Sequence, residues 1–331
     1  MRFTLRQLSY FIAAGETLSV TKAAEQVNIS QPSISAAISH LETELNVQLF
    51  VRHHAQGLSL TPAGTRLLRA AKESLRAAAE LYEVASDAND RVSGTLKVGT
   101  FFTFAPLIAP ELWAGFSRRY DAVQMTMTEG SEAELLENLR LARIDLALTY
   151  NLKLPPDMTF VELARLNSYV IVGADHRFAD RNSVRLAELI DDPFILIDLP
   201  LTRDYFLGLF SQIGGTPRVV METSSTASLR SYVAAGLGYG LMTARPVNMR
   251  AENGLPLVYL PIEDVTHSIS FGIAHLAELR RSRVMDAFID HCRETICDGA
   301  IPGMMAGGCA ARIPATDTGP ETTTRPAPQD F

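Results

Sequence analysis

TKAAEQVNISQPSISAAISHLETEL, residues 21–45, holds no metal-ligand spacing and no glycine loop, yet its apolar residues are strictly ordered. Ile34, Ile38, Leu41 and Leu45 recur at four- and three-residue steps, which lines one face of a helix and buries it. The opposite face carries Pro32, Ala36, Ser39 and Thr43, flanked by Ser33, Ser35 and His40, all short or polar. Upstream, Val20, Ala23, Ala24 and Val27 form a shorter stripe that Asn28 ends, because Asn tolerates left-handed geometry. Ser30 then offers an N-cap oxygen, and Pro32 falls in the first turn, where a missing N–H costs nothing. Thr4 and Gln7 have the spacing of a capping box before a third stripe, Leu5, Leu8, Phe11 and Ile12.

The spacing therefore predicts two helices joined by a tight turn and braced by a third. That is a helix-turn-helix, whose second helix can enter a DNA major groove with its N-terminal side chains at base edges. An ordinary helical bundle would show the same stripes, so the hairpin alone does not decide the function. The adjoining segment adds to it. LFVRHHAQGLSLTPAG, residues 49–64, reads as an apolar anchor, a basic and polar turn with Gly57, an alternating Leu58/Leu60 segment and a helix opened by Thr61 and Pro62, which together make a wing.

In FIAAGETLSVTKAAEQVNISQPSISAAISHLETELNVQLFVRH followed by LTPAG, the chain resembles the LysR-type transcriptional regulators, and the resemblance runs to about residue 297. It implies a winged helix-turn-helix DNA-binding domain over residues 1–61, with Gln31, Pro32, Ser33 and Ser35 at the DNA-facing start of the recognition helix and Arg52 gripping phosphate from the wing; Ala36, Ser39, His40 and His53 complete the candidate DNA-binding residues, although Ser39 and His40 stand where basic residues are common in the family. Where many relatives carry another wing arginine, this chain has Ala55 and Gln56. Residues 1–60 hold Arg2, Arg6, Lys22 and Arg52 against Glu16, Glu25, Glu42 and Glu44, four minus four. Phosphate contacts carry much of DNA affinity through counterion release, so one copy should bind weakly and coupled copies usefully. The pair His53 and His54 reads as a solvated turn, since no third metal ligand is near.

Residues 62–90 supply the coupling. They are rich in Ala, Leu, Glu and Arg without an internal proline, enough for a helix of roughly 40 Å. Leu67, Ala71, Ser74, Ala78, Leu81 and Ala85 form a heptad seam of mostly small residues suited to close helix pairing. The same stripe would serve for packing along the chain's own second domain; the resemblance favours an antiparallel dimer helix, with a homodimer or homotetramer carrying two or more heads.

From residue 91 the pattern becomes strand and helix in alternation, the signature of an α/β domain. TLKVGT (95–100), VQMTMTEG (123–130) and IDLALTY (144–150) read as strands separated by helices; SYVIVG (168–173), FILID (194–198), PRVVM (217–221) and YGLMT (239–243) read as a second set. HSISFGIAHL (267–276) and an amphipathic helix at 283–296 would return the chain to the first set. The expected fold is thus α/β multidomain, with a two-lobed effector-binding domain over 91–297 that resembles type 2 periplasmic binding proteins: lobe I at about 91–163 and 268–297, lobe II at about 164–267. A small ligand would sit between the lobes, near strand ends and helix N-termini.

The candidate effector residues are Thr100, Phe102, Thr103, Ser131 and Tyr150 in the first lobe and Leu199, Thr202, Arg203, Ser224 and Thr226 in the second. Hydroxyls beside helix N–H groups suit an anion, with Arg203 as counter-charge and Phe101, Phe102, Phe104 and Tyr205 as aromatic walls. An organic acid or aromatic carboxylate is the expected ligand. Each Ser or Thr has plain helix capping as its alternative role. GLGYG (236–240) follows a helix and precedes a strand, the reverse of a dinucleotide fingerprint. Cys292, Cys297 and Cys309 lie in the last helix and the tail, away from the cleft.

The residues suggest no catalytic triad, metal cluster or carboxylate dyad, so neither an enzyme nor a cofactor is expected. A net charge of −7 in 331 residues excludes a general nucleic-acid coat and leaves room for one DNA-reading face. No long apolar run or signal-like start is apparent, so the expected location is the cytoplasm, without membrane contact. The expected partners are double-stranded promoter DNA, a small-molecule effector and, as a further candidate, RNA polymerase. A solute receptor whose N-terminal helices only dimerise it is the competing function, and an enzyme on the two-lobed scaffold a third. Residues 298–331, mostly Gly, Ala, Pro and Thr, are expected to be disordered.

Overall fold

The computed structural model describes residues 3–53, 57–86, 92–265, 267–296 and 300–305. The head opens with α1 (Leu5–Thr17), whose capping box joins the Thr4 hydroxyl to the Gln7 amide and the Gln7 side chain to the Thr4 amide. Ser19 caps α2 (Val20–Gln26) and Ser30 caps α3 (Gln31–Leu45), with Asn28 at φ 53° turning the chain between them. Phe11, Ala23, Ile34, Ile38 and Leu41 meet in the core of this three-helix unit.

The wing is the antiparallel pair β1 (Phe50–His53) and β2 (Gly57–Leu60). Glu42 of α3 holds its start, accepting the Leu49 and Phe50 amides at 2.8 and 3.2 Å. Next comes α4 (Pro62–Ser86), whose first turn presses on the wing: a Cβ at Gly64 would lie 2.1 Å from the Leu49 carbonyl oxygen. Gly64→Ala is expected to destabilise the head by about 1–3 kcal/mol, the usual cost of overpacking. Native-state hydrogen exchange in α1 and α3 checks this, since unchanged protection would mean that α4 can slide off the wing.

The seam expected to pair α4 with a second copy is partly spent within the chain. Ala71 is buried with Leu68 in the head core, and Leu67 packs against it, because α4 lies along α1. Ser74 is exposed and Ala78 half-buried, while the side chains of Leu81 and Ala85 lie outside the described residues. Packing along the second domain, the alternative role of this helix, is realised too: Lys72 reaches the carbonyls of Leu141 and Ala142, and Arg69 lies 3.5 Å from Glu278.

The second domain runs β3 (Gly94–Phe101), α5 (Ala109–Arg119), β4 (Val123–Gly130), α6 (Glu132–Arg140), β5 (Leu146–Tyr150), β6 (Met158–Leu166), β7 (Tyr169–Gly173), β8 (Pro193–Ile197), α7 (Thr202–Gln212), β9 (Arg218–Thr223), α8 (Thr226–Ala234), β10 (Gly240–Met242), β11 (Leu257–Pro261), β12 (Ile269–Leu276) and α9 (Arg283–Thr295). Lobe I is one sheet in the order β4-β3-β5-β12-β6, parallel across its first three strands and antiparallel where β12 returns. Lobe II combines β10-β7-β11 with the parallel pair β8-β9, joined where Tyr239 exchanges hydrogen bonds with Pro193 and Ile195.

Three expectations need correction. The first crossing falls at 167–168 rather than 164, because β6 stays paired with β12 through Leu166. Strands β6 and β11 went unpredicted; both are edge strands with one neighbour each, which tolerates the Thr, Glu and Arg of the first and the closing Pro261 of the second. Finally, residues 300–305 of the tail have defined structure: Val247 donates to the Gly303 carbonyl and Met305 to that of Arg245, while Ile301, Met304 and Met305 pack on the lobes' core. These three large apolar side chains, in a tail that is otherwise mostly Gly, Ala, Pro and Thr, explain this. The remainder of the tail, with Cys297 and Cys309, lies outside the described residues; Cys292 is buried in α9.

Candidate functional site

Two surfaces hold the residues singled out in the sequence. On α3, Gln31, Pro32, Ser33, Ala36, Ser39 and His40 are exposed and Ser35 is half-buried, while Ile34, Ile38 and Leu41 turn inward. Among the described residues, Gln31 makes no side-chain hydrogen bond; Ser33 shares one with Ser30 at 2.8 Å, and His40 Nδ1 lies 3.4 Å from Gln7 Nε2. Arg52 is exposed on β1, with His53 the next residue of that strand. The His53 ring, and His54, Ala55 and Gln56, lie outside the described residues.

Charge on this head is less balanced than a count suggests. Glu42 is turned into the wing amides, and Glu16 pairs with Lys72 at 2.7 Å on the side facing lobe I. Arg6, Lys22 and Arg52 remain exposed. The first three turns of α3 thus present a short polar surface with few acids opposing it.

Between the lobes lies an inner cavity of about 20 Å³, room for a single water molecule. Lobe I contributes Phe101 at the end of β3 with Thr103 beyond it, and Tyr150 at the end of β5 with Leu152 beyond it; lobe II contributes Ile197, Thr202, Tyr205, Phe206, Thr226, Leu241, Met242 and Thr243, with Ile269 at the return. The Tyr150 hydroxyl hydrogen-bonds that of Thr243 and so bridges the two lobes. A wider groove of about 590 Å³ is lined by Phe102, Pro106, Glu129, Ser131, Glu134, Leu199, Pro200, Ser224, Ser225 and Thr226, the last also bordering the inner cavity.

Of the ten candidate effector residues, Thr103, Tyr150, Thr202 and Thr226 line the inner cavity, and Phe102, Ser131, Leu199 and Ser224 the groove. Two do not belong to either. Thr100 is fully buried inside the sheet. Arg203 is committed elsewhere, its Nη1 lying 2.9 Å from Asp198 and 2.8 Å from Glu222, so it is no free counter-charge. Phe104 is likewise core, 4.1 Å from the Phe271 ring centroid. Sequence reasoning missed Thr243, although it stands at a strand end by the rule that selected Tyr150. It also missed Ile197, Leu241, Met242 and Ile269, whose apolar side chains look like any core strand.

Local chemistry at the two helix starts differs. Ser131 caps α6 in a capping box with Glu134, and those hydrogen bonds hold the Glu134 carboxyl below its usual range. At α7 no side chain caps the N-terminus: Leu201 adopts φ 68°, and the buried Thr202 hydroxyl has no hydrogen-bond partner among the described residues. Glu132, beside Ser131, is fully buried, and among the described residues neither carboxyl oxygen has a hydrogen-bond partner; burial pushes it up to about 7, with only the nearby Leu152 N–H in opposition. Among the described residues no cluster could hold a metal ion, and no helix is long and apolar enough to cross a membrane.

Comparison with known proteins agrees with both halves. The family model for bacterial regulatory helix-turn-helix proteins of the lysR family matches residues 5–65, and that for the LysR substrate binding domain matches residues 89–296. The chain is 30% identical over 246 residues to the HTH-type transcriptional regulator CysB of Haemophilus influenzae, covering 72% of this chain and 75% of that protein. It is 29% identical over 254 residues to the uncharacterized HTH-type transcriptional regulator YvbU of Bacillus subtilis, covering 77% and 84%. The crystal structure of HinK, a LysR family transcriptional regulator from Pseudomonas aeruginosa, superposes with a TM-score of 0.60 at 34% identity, covering 88% of this chain and 98% of that one.

Proposed function

We propose a function from one premise: the chain belongs to the LysR family of transcriptional regulators. It binds double-stranded DNA at specific sites, as a homodimer or homotetramer, and a small-molecule effector held between the lobes controls what that binding does. The observation that carries this reading is the exposed, short-side-chain face of α3 beside a wing, joined to a two-lobed cleft. Gln31, Pro32, Ser33, Ser35, Ala36, Ser39 and His40 meet the groove, while Arg52 and His53 meet phosphate. In this reading the α4 seam of Ser74, Ala78, Leu81 and Ala85 pairs with a second copy.

The effector in this reading is an organic acid or aromatic carboxylate. The start of α7, which no side chain caps, and the Thr202 hydroxyl, without a hydrogen-bond partner among the described residues, offer an acidic oxygen its donors, and Phe101, Tyr150, Tyr205 and Phe206 offer an aromatic body its walls. A cavity sized for one water cannot hold such a ligand, so the lobes open to admit it and the ligand shifts the population of closures. The linker helices convert that shift into a new spacing of the heads, altering DNA bending or contact with RNA polymerase. The protein works in the cytoplasm and turns nothing over.

Footprinting of the full chain on the DNA upstream of its own gene, at about 50 and 200 mM salt, tests the reading. Two protected segments are expected whose centres lie a whole number of helical turns, about 10.5 bp each, apart, with a protected length that changes when the matching small carboxylate is added. No protection at the lower salt with intact oligomers would refute it.

A further inference from the structure

Three parts of the chain meet at one ammonium group. Lys72, on α4, has Glu16 of α1 at 2.7 Å and the carbonyls of Leu141 and Ala142, just past α6, at 2.7 and 3.0 Å. Its three donors thus have three acceptors, drawn from the head and from lobe I. The two carbonyls sit where a helix leaves acceptors unpaired and carries the negative end of its dipole, which favours a cation. Burial lowers the Lys72 pKa despite Glu16, so this is a partly desolvated contact rather than a solvated surface pair.

The other end of α6 is at the cleft. Ser131 caps that helix and lines the groove, and Glu132 is its first residue. Nine residues of helix, about 13 Å, separate the groove wall from the carbonyls that Lys72 holds. A cavity of about 360 Å³ adjoins the contact, between Ile12 and Glu16 of α1, Lys72 of α4 and Lys97, Ile144 and Leu279 of lobe I. Head and lobe are therefore not packed solid there, and the head has room to tilt about the contact.

We infer that Lys72 is a positioning residue that couples the cleft to the DNA-reading head, with α6 as the lever between groove wall and head. The inference rests on the regulator reading above. Arg69 and Glu278 form the other α4 contact with lobe I, but at 3.5 Å with Glu278 81% exposed it contributes little.

The test uses the full chain and a DNA sequence that the protein itself selects from a random library. Tyr150→Phe removes the hydroxyl that bridges the lobes and so perturbs the cleft without a ligand. In an otherwise native chain it is expected to change the Kd for the selected DNA by about five-fold or more, the lower range of coupled sites. In Lys72→Met and Glu16→Ala chains the same change should stay within about two-fold, the spread of independent sites. Glu16→Ala removes the acceptor on α1 while leaving Lys72 its two carbonyls, so it answers the question if Lys72→Met folds poorly. A shift as large in both variant chains as in the native one overturns the inference and leaves the regulator reading standing, and so does a native chain indifferent to Tyr150→Phe. Failure to select any sequence overturns both.

Discussion

Gln31→Ala combined with Ser33→Ala is expected to lower specific DNA retention at least about 100-fold while leaving unfolding and oligomeric state unchanged. Both residues are exposed in the first turn of α3, which a helix-turn-helix points at base edges. A glutamine suits bidentate pairing with adenine, and a good base pairing is worth about 1–3 kcal/mol. Two heads each losing about 1.4 kcal/mol give about 2.8 kcal/mol, the stated 100-fold. The fold should be indifferent, since among the described residues Gln31 makes no side-chain hydrogen bond and the Ser30 oxygen still caps Ser33 N–H at 3.4 Å. Weak, sequence-independent binding and its salt slope should persist, because those belong to the cations. Retention by a dimeric variant at native strength would leave the solute receptor with dimerising helices as the better reading.

How far that face could be read in advance depends on the range of the interactions that make it. Thr4 with Gln7, Ser30 with Ser33 and Asn28 in its left-handed turn are neighbours in sequence, and each was legible from spacing. Glu42 and Glu16 were not: counted as surface acids, they are absorbed by the Leu49 and Phe50 amides and by Lys72, partners 7 to 56 residues away. Arg203 fails for the same reason. It stands at a strand-to-helix turn as expected, but Glu222, 19 residues on, arrives across the β8-β9 pair to claim it along with Asp198. Ala71 was legible as an interface residue but not as to whose, since a small apolar position on α4 serves α1 or a second copy equally well.

The cleft shows the same division. Strand ends could be located by alternation, and Tyr150, Thr202 and Thr226 converge as expected. What alternation cannot give is which of two adjacent residues at a helix start turns inward. Ser131 caps α6 and reaches the groove, while Glu132, the charged member of the pair, is the one with no exposure.

That inversion carries a large pH effect. A carboxyl in the first turn of a helix is ordinarily helped to ionise by the dipole, by about 0.3–1 kcal/mol. Here burial outweighs that help, and Glu132 titrates at about 7 in the folded chain instead of 4.5. Below 4.5 both folded and unfolded states hold the proton and the residue costs nothing. Between 4.5 and 7 the unfolded state releases it while the folded state keeps it, so stability falls as pH rises, levelling off above 7 at a cost of about 3 kcal/mol. Glu132→Gln keeps the shape and removes the titration. It should match the native chain near pH 4 and exceed it by about 3 kcal/mol at about pH 8, read from urea unfolding of lobe I at the two pH values. Parallel pH profiles for the two chains would show that Glu132 is solvated and that the groove wall beside Ser131 is open to water. A converging pair would place a neutral, proton-bearing carboxyl in the first turn of α6, the helix whose far end Lys72 holds.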